Sequence, residues 1–360
     1  MRETNFWSYC TNRAAVSITT TLYDRRALDC TSDRPLINSL NNLAYLAATS
    51  ARVRETLCFD GGLERLVSIL KDCLMPHHSE LDNNAASLMA WKWTLSLQCL
   101  LFLGTRGSER IRWRLVEAGA VPVLCSILDA FLRRASALDG QKDRGTVPDV
   151  WLHDTTINGP PNAEPPLPRA IFEGNVLVPK DDDVVWCLEI LAFVSKYSYL
   201  KPALQNTHIL PNAEELVEVP TKAVLDYDTY DFGSTDDLAA EYRMPKVNIF
   251  PIVERFTAIK RAREIPHWAG IIMRNSCRKD ETRGGIRQCA NFACGKWEEY
   301  PRHFAKCRRC KRTKYCSKEC QLYAWSYHRY WCAPATPSPT NAAADTLSVG
   351  ERPQSAGTST

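Results

Sequence analysis

Seven cysteines and one histidine follow the spacing Cys289-x4-Cys294-x12-Cys307-x2-Cys310-x5-Cys316-x3-Cys320-x7-His328-x3-Cys332. Eight such donors satisfy two tetrahedral zinc ions with none left over. Thiolate-rich sets of four leave no open position, which is the chemistry of structural rather than catalytic zinc. A catalytic thiol would instead stand exposed beside a general base. A disulfide framework needs export to an oxidising compartment, and the N-terminus "MRETNFWSYC" carries no signal-peptide pattern. The other eight cysteines (10, 30, 58, 73, 99, 125, 187 and 277) sit mostly in apolar helical patterns. They read as small buried hydrophobes.

The region around the ligands has few large aliphatics, so metal binding must supply most of its folding free energy. A short helix is expected from about Ser317, an N-cap residue with Glu319 in the first turn. On it Cys320, Ala324 and His328 recur every four residues and face the metals. Gln321 and Trp325 form another such pair, rotated off that face. Trp325 reads either as an exposed contact residue or as part of a small core with Tyr315 and Trp331. His303 and Cys277 are spare donors, and with eight ligands already counted His303 reads as a surface residue.

Ligands need a scaffold, and the first half of the chain contains an internal repeat. The stretch "NLAYLAATSARVRETLCFDGGLERLVSIL" (42–70) lines up with "CLLFLGTRGSERIRWRLVEAGAVPVLCSIL" (99–128). Leu43 and Leu46 match Leu100 and Leu103. After one residue of slippage, Arg52, Arg54, Leu57 and Gly61 match Arg110, Arg112, Leu115 and Gly119. Each copy reads as helix, polar turn, short basic helix, glycine stop and apolar helix. Neither copy could bury its apolar face alone, so the copies must stack. Residues 184–200 form a third, degenerate copy, and 248–277 add two closing helices. The pattern resembles an armadillo-type α-solenoid, and a generic helical bundle satisfies it as well. Loops are expected at 138–183, where "NGPPNAEPPLPRA" is too proline-rich for helix, and at 219–245, which is acidic. The expected division is a helical domain over 1–279, a finger over 287–332 and a disordered tail over 333–360.

The order of the ligands, with "KYCSKECQ" and a Trp just before the His, resembles the MYND zinc finger. Together with "TTTLYDRRALDCTSDRPLINSLNNLAYL" near the N-terminus, the chain is similar to the fungal samB family of MYND proteins. That resemblance implies cross-braced ligation, with Cys289, Cys294, Cys316 and Cys320 on one zinc and Cys307, Cys310, His328 and Cys332 on the other. MYND fingers generally begin Cys-x2-Cys, so the Cys-x4-Cys here makes Cys289 the ligand that departs from the pattern. The resemblance also implies a groove at Gln321 and Trp325 for proline-containing peptides. It further implies a role in polarised growth and morphogenesis, and adaptor work for a ubiquitin ligase.

Charge decides among function classes. Of a net +4, residues 287–332 contribute eleven Lys/Arg against three Glu. Seven thiolates and two Zn²⁺ reduce this to about +5. A basic run with seven Lys/Arg between Arg302 and Lys314 keeps a nucleic-acid-binding regulator as the alternative. The run is broken by metal ligands, and the scaffold has the opposite charge, which favours protein partners. No cofactor-binding glycine stretch or methyltransferase motif is found, and His77, His78, His153, His208 and His267 lack triad-like context, so no enzyme is expected. No window approaches eighteen uninterrupted apolar residues, so no membrane span is expected either. The expected location is cytoplasmic, with the nucleus left open.

Overall fold

The computed structural model describes residues 16–74, 83–139, 171–173, 176–210, 245–260 and 262–335. The repeat is realised helix for helix. The first copy is α1 (Asp33–Thr49), α2 (Ala51–Phe59) and α3 (Gly62–Leu74). The second is α4 (Asn83–Arg106), α5 (Glu109–Glu117) and α6 (Ala120–Asp139). A third, shortened copy comprises α7 (Asp181–Val194), α8 (Lys201–Gln205) and α9 (Ile249–Phe256), and α10 (Glu264–Ser276) follows as the last scaffold helix. The two glycine stops sit at φ +79° (Gly61) and +77° (Gly119), a left-handed conformation in which a side chain is strained.

The leading helices of successive copies pack in order, α1 on α4, α4 on α7 and α7 on α10. The helices α3, α6 and α9 form the second layer, with α2 and α5 along an outer edge. This is the armadillo-like arrangement. Leu40 and Leu43 of α1, Trp93, Leu97 and Leu100 of α4, and Leu188 and Leu191 of α7 are all buried in one continuous apolar cluster. Each such side chain contributes roughly 1.5–3 kcal/mol relative to exposure. Helix α4 is long and apolar enough by composition to cross a membrane, with a mean hydropathy of 1.2. It is instead the central helix, covered by α1, α3 and α7.

The repeat also explains two of its arginines. Arg54 donates from Nη1 to the Ala47 carbonyl at 2.8 Å, and Arg112 from Nε to the Gly104 carbonyl at 2.8 Å. The two carbonyls occupy equivalent places, in the last turns of α1 and α4, where helix geometry leaves acceptors without partners.

The expected loop at 138–183 is corrected in part. Helix α6 runs to Asp139, and β1 (Ile171–Glu173) pairs antiparallel with β2 (Val176–Val178). Helix α7 then starts at Asp181, because buried Asp183 accepts from the Lys180 N–H at 2.9 Å and the Trp93 indole at 3.3 Å. A carboxylate at that position caps the helix, and the proline-rich composition upstream hides it. The acidic loop at 219–245 lies outside the described residues apart from residue 245, and the tail is described only to 335.

The finger docks on the last helices of the stack. Its helix α11 (Lys318–Trp331) packs against α9 and α10. Trp331 is 5% exposed and belongs to the scaffold's apolar cluster rather than the finger's own. Phe292 of the finger stacks on Phe250 of α9 at 5.5 Å between centroids. Lys201 of α8 donates to the Ser276 carbonyl at 2.8 Å and lies over the Trp297 ring at 5.2 Å. A division at 279 therefore cuts through a shared apolar seam.

Glu254 of α9 is part of that seam. Burial pushes its carboxyl up to about 7, while the nearby Trp331 indole pulls the other way. Glu254 Oε1 and Trp331 Nε1 are both buried without a hydrogen-bond partner. In the unfolded chain the carboxyl ionises near 4.3. Between these values the folded chain holds a proton that the unfolded chain has released, so stability falls as pH rises through about 7. Glu254→Gln is expected to remove this component. Urea unfolding at pH 5, 6, 7 and 8 should show the native chain losing stability relative to Glu254→Gln across the series.

Candidate metal centre

The finger has little regular structure of its own. Strands β3 (Ala305–Lys306) and β4 (Lys314–Tyr315) pair antiparallel and bring the Cys307–Cys310 turn beside Cys316. The Cys307 N–H donates to the Thr313 carbonyl at 3.0 Å, and that of Lys311 to Cys307 at 2.9 Å. Lys311 takes a left-handed φ of 55° to close this turn. As the sequence leads one to expect, Ser317 caps α11, its side chain accepting from the Cys320 N–H at 3.2 Å. Ala324 and His328 are buried on the same face.

Eight donors converge in two sets of four. One is Cys289, Cys294, Cys316 and Cys320, and the other is Cys307, Cys310, His328 and Cys332, with all donor atoms of a set within 4.8 Å of one another. The first set has Sγ–Sγ separations of 3.5 Å for Cys294–Cys316 and for Cys316–Cys320. In the second, Cys307 and Cys332 are 3.9 Å apart, and Cys310 Sγ lies 3.7 Å from His328 Nε2. A tetrahedral zinc with Zn–S near 2.3 Å and Zn–N near 2.05 Å requires S···S of ~3.8 Å and S···N of ~3.6 Å. A disulfide would need ~2.05 Å. The donor sets therefore fit two zinc ions, cross-braced, and Cys289 is a full member despite its longer spacing. Cys277 packs beside the finger's apolar cluster but joins neither set.

Without a metal the surroundings favour a thiolate at Cys310 and Cys320, while burial raises the thiols of Cys289, Cys316 and Cys332. Burial works against a charge on Cys310, yet hydrogen bonds with His328 and Thr313 hold it down at about 5. Burial likewise opposes Cys320, which Asn291 and its neighbours bring to about 7, with Asn291 Nδ2 at 3.5 Å from Cys320 Sγ. Thr313 Oγ1 lies 3.4 Å from Cys310 Sγ. These hydrogen-bond partners tune and orient the ligands. Sequence reasoning missed both, and the available signal was a hydroxyl or amide within three residues of a ligand.

A buried ion pair ties the finger's segments together. Lys314 Nζ reaches Glu298 Oε1 at 2.5 Å, and the Glu298 carboxylate also accepts from the N–H groups of Arg287 and Phe304. Burial alone would raise the Glu298 carboxyl, but Lys314 and those N–H groups hold it below the usual range.

The two residues carried by resemblance sit on the outer flank of α11. Trp325 is 37% exposed, leans on the His328 ring at 5.7 Å and belongs to neither apolar cluster. Gln321 is half-buried one turn earlier. The expected small core takes only Tyr315, since Trp331 turns into the scaffold. His303 is exposed and stacks on Tyr300 at 4.8 Å. Among the scattered cysteines, Cys58, Cys73, Cys99, Cys125 and Cys187 are buried, Cys30 and Cys277 are partly so, and Cys10 lies outside the described residues. Burial pushes the Cys73 and Cys125 thiols up to about 12.

A helical repeat scaffold ending in two interleaved Cys/His zinc sets defines a MYND-type zinc-finger protein, and residues 289–332 match the family model of the MYND finger. The MYND-type zinc finger protein MUB1 of Saccharomyces cerevisiae is 31% identical, covering 92% of this chain and 90% of the relative. The MYND-type zinc finger protein samB of Emericella nidulans is 28% identical over 92% of this chain and 100% of its own. The chain belongs to this MUB1/samB family of MYND-type zinc finger proteins.

The ligand assignment separates two neighbouring thiols. Cys289→Ser is expected to lower zinc content from two ions per chain to one, whereas Cys277→Ser should retain both. Elemental analysis of the two purified variants checks this.

Proposed function

We infer an adaptor-type role, which membership of a family whose MYND finger is a protein-interaction module supports. We propose that the chain is a non-enzymatic, cytoplasmic adaptor that receives proline-containing peptide segments along the Gln321–Trp325 flank of α11. The observation that carries this reading is Trp325 itself. A large aromatic remains outside both cores, beside a hydrogen-bonding amide, on a helix immobilised by ligands to both metals. A rigid aromatic next to an amide is the usual makeup of a binding hot spot, and an extended proline-containing segment suits an aromatic platform. In this reading the helical scaffold carries a second partner, and the resemblance to the samB family points to components of a ubiquitin ligase and to control of polarised growth and morphogenesis.

A second reading rests on the exposed side chains of Arg302, Lys306, Arg308, Arg309, Lys311 and Arg312, a basic surface suited to nucleic acid. It requires binding to unrelated DNA sequences that weakens steeply with salt.

Trp325→Ala is expected to keep two zinc ions and a dispersed NMR spectrum while weakening partner binding by at least ~2 kcal/mol, roughly thirtyfold. Affinity purification of the native and Trp325→Ala chains reads the partner side. Ubiquitin-conjugation proteins retained by the first and lost by the second support the adaptor. Collapse of the spectrum would mean that Trp325 holds the fold instead.

A further inference from the structure

The scaffold edge formed by α1, α2, α4 and α5 carries two arginines in an unusual setting. Arg54 Nη1 donates to the Ala47 carbonyl at 2.8 Å, and Arg106 Nη1 to the adjacent Ala48 carbonyl at 2.6 Å. Two guanidiniums from different repeats are thus pinned to neighbouring oxygens at the C-terminus of α1, whose dipole favours cations. One nitrogen of each is spent on this anchor; Arg106 is exposed and lies over the Phe102 ring at 5.1 Å, Arg54 is half-buried, and each fork keeps further N–H donors.

The next repeat shows what such a fork does when it is fully used. Arg112, the counterpart of Arg54, donates to the carbonyls of Gly104 and Thr105 at 2.8 and 3.1 Å. Its remaining arm reaches the Tyr197 hydroxyl at 3.0 Å, and it lies over the Phe193 ring at 5.0 Å. Where Arg112 meets an oxygen acceptor supplied by the following repeat, Arg54 meets the like charge of Arg106. Burial and then repulsion from Arg106 lower the Arg54 pKa, and the opposing pull of neighbouring Glu55 is weaker.

The surroundings add to the charge. Arg52 of α2 and Arg110 of α5 are exposed, and Arg110 stacks on Phe59 at 4.2 Å, a ring that is 62% exposed. Tyr45, one turn before the anchoring carbonyls, is 51% exposed. Among the described residues, none of Arg52, Arg54, Arg106 and Arg110 forms an ion pair. Helix capping explains why Arg54 and Arg106 reach the carbonyls. It does not explain why two like charges share this helix end, or why Arg110 and Phe59 form an exposed stack between the neighbouring α5 and α2.

We propose that this edge is a second docking site, which takes an acidic protein segment by clamping a carboxylate between Arg54 and Arg106. A carboxylate matches the remaining guanidinium donors in charge and bidentate geometry, and relieves the repulsion between them. Arg110 recruits a flanking acid, and the exposed Phe59 ring takes an apolar neighbour of the acidic residue. The site is independent of the finger's flank, so it survives if the Trp325 reading fails.

Anisotropy of fluorescein-labelled hexaglutamate with the zinc-loaded full chain tests this, beside a labelled twelve-residue oligothymidylate. Arg106→Gln, which keeps a donor for the Ala48 carbonyl, is expected to weaken hexaglutamate binding about tenfold with unchanged melting. Arg309→Gln on the finger should leave it unchanged. Amide shifts on adding hexaglutamate should concentrate in 46–54 and 104–110. Equal affinity of Arg106→Gln and the native chain, or shifts confined to the finger, would overturn the proposal. Tighter oligothymidylate binding lost in Arg106→Gln would make the edge a nucleic-acid surface instead.

Discussion

A single helix carries ligands to both metals and closes the scaffold. On α11, Cys320 serves one set and His328 the other, with Cys332 directly after its end. Between the last two ligands, Trp331 turns the opposite way and buries its ring in the apolar cluster of the solenoid. An α-solenoid exposes an apolar face at each end unless something polar on its outer side covers it. Here the cover is a domain too small to fold on hydrophobic burial alone. Metal binding therefore fixes α11, and α11 finishes the stack.

Much of this was legible in the sequence, because ligand spacing and helical periodicity are local signals. The eight ligands, the Ser317 cap and the glycine stops of both copies appear where the residues indicated, while the pairing of the ligands into two sets came from the resemblance to MYND fingers and not from spacing. The repeat of Arg54 and Arg112 was visible too, although its reason, the capping of a preceding helix, needs the fold. What could not be read were contacts between distant segments. Trp331 looks like a finger aromatic until α9 and α10 are beside it. Asp183 looks like one acid among three until the Trp93 indole reaches it from α4. The β1–β2 pair was hidden because two three-residue strands flanked by a proline-rich stretch carry almost no periodic signal.

The division of labour follows from rigidity. Closed four-ligand zinc sets offer no coordination site to a substrate, so the metals act by holding shape. Shape is what an interaction module needs, because a preordered surface loses less conformational entropy on binding. The finger presents Trp325 on an immobilised helix, and the far edge of the scaffold presents pinned arginines. These surfaces differ in chemistry, one aromatic and amide, the other cationic and bidentate. If both proposed sites bind as described, one continuous core holds two different protein segments at a fixed separation.

The central claim is that zinc in the finger stabilises the end of the scaffold through the Trp331 seam. Hydrogen exchange of the full chain, with and without a zinc chelator, measures this directly. On zinc removal, amides of α9 and α10 (249–256 and 264–276) should exchange much faster, while those of α1 and α4 keep their protection. Unchanged protection in α10 after complete loss of zinc would contradict the account, because the finger would then be a passenger on a scaffold that is complete without it.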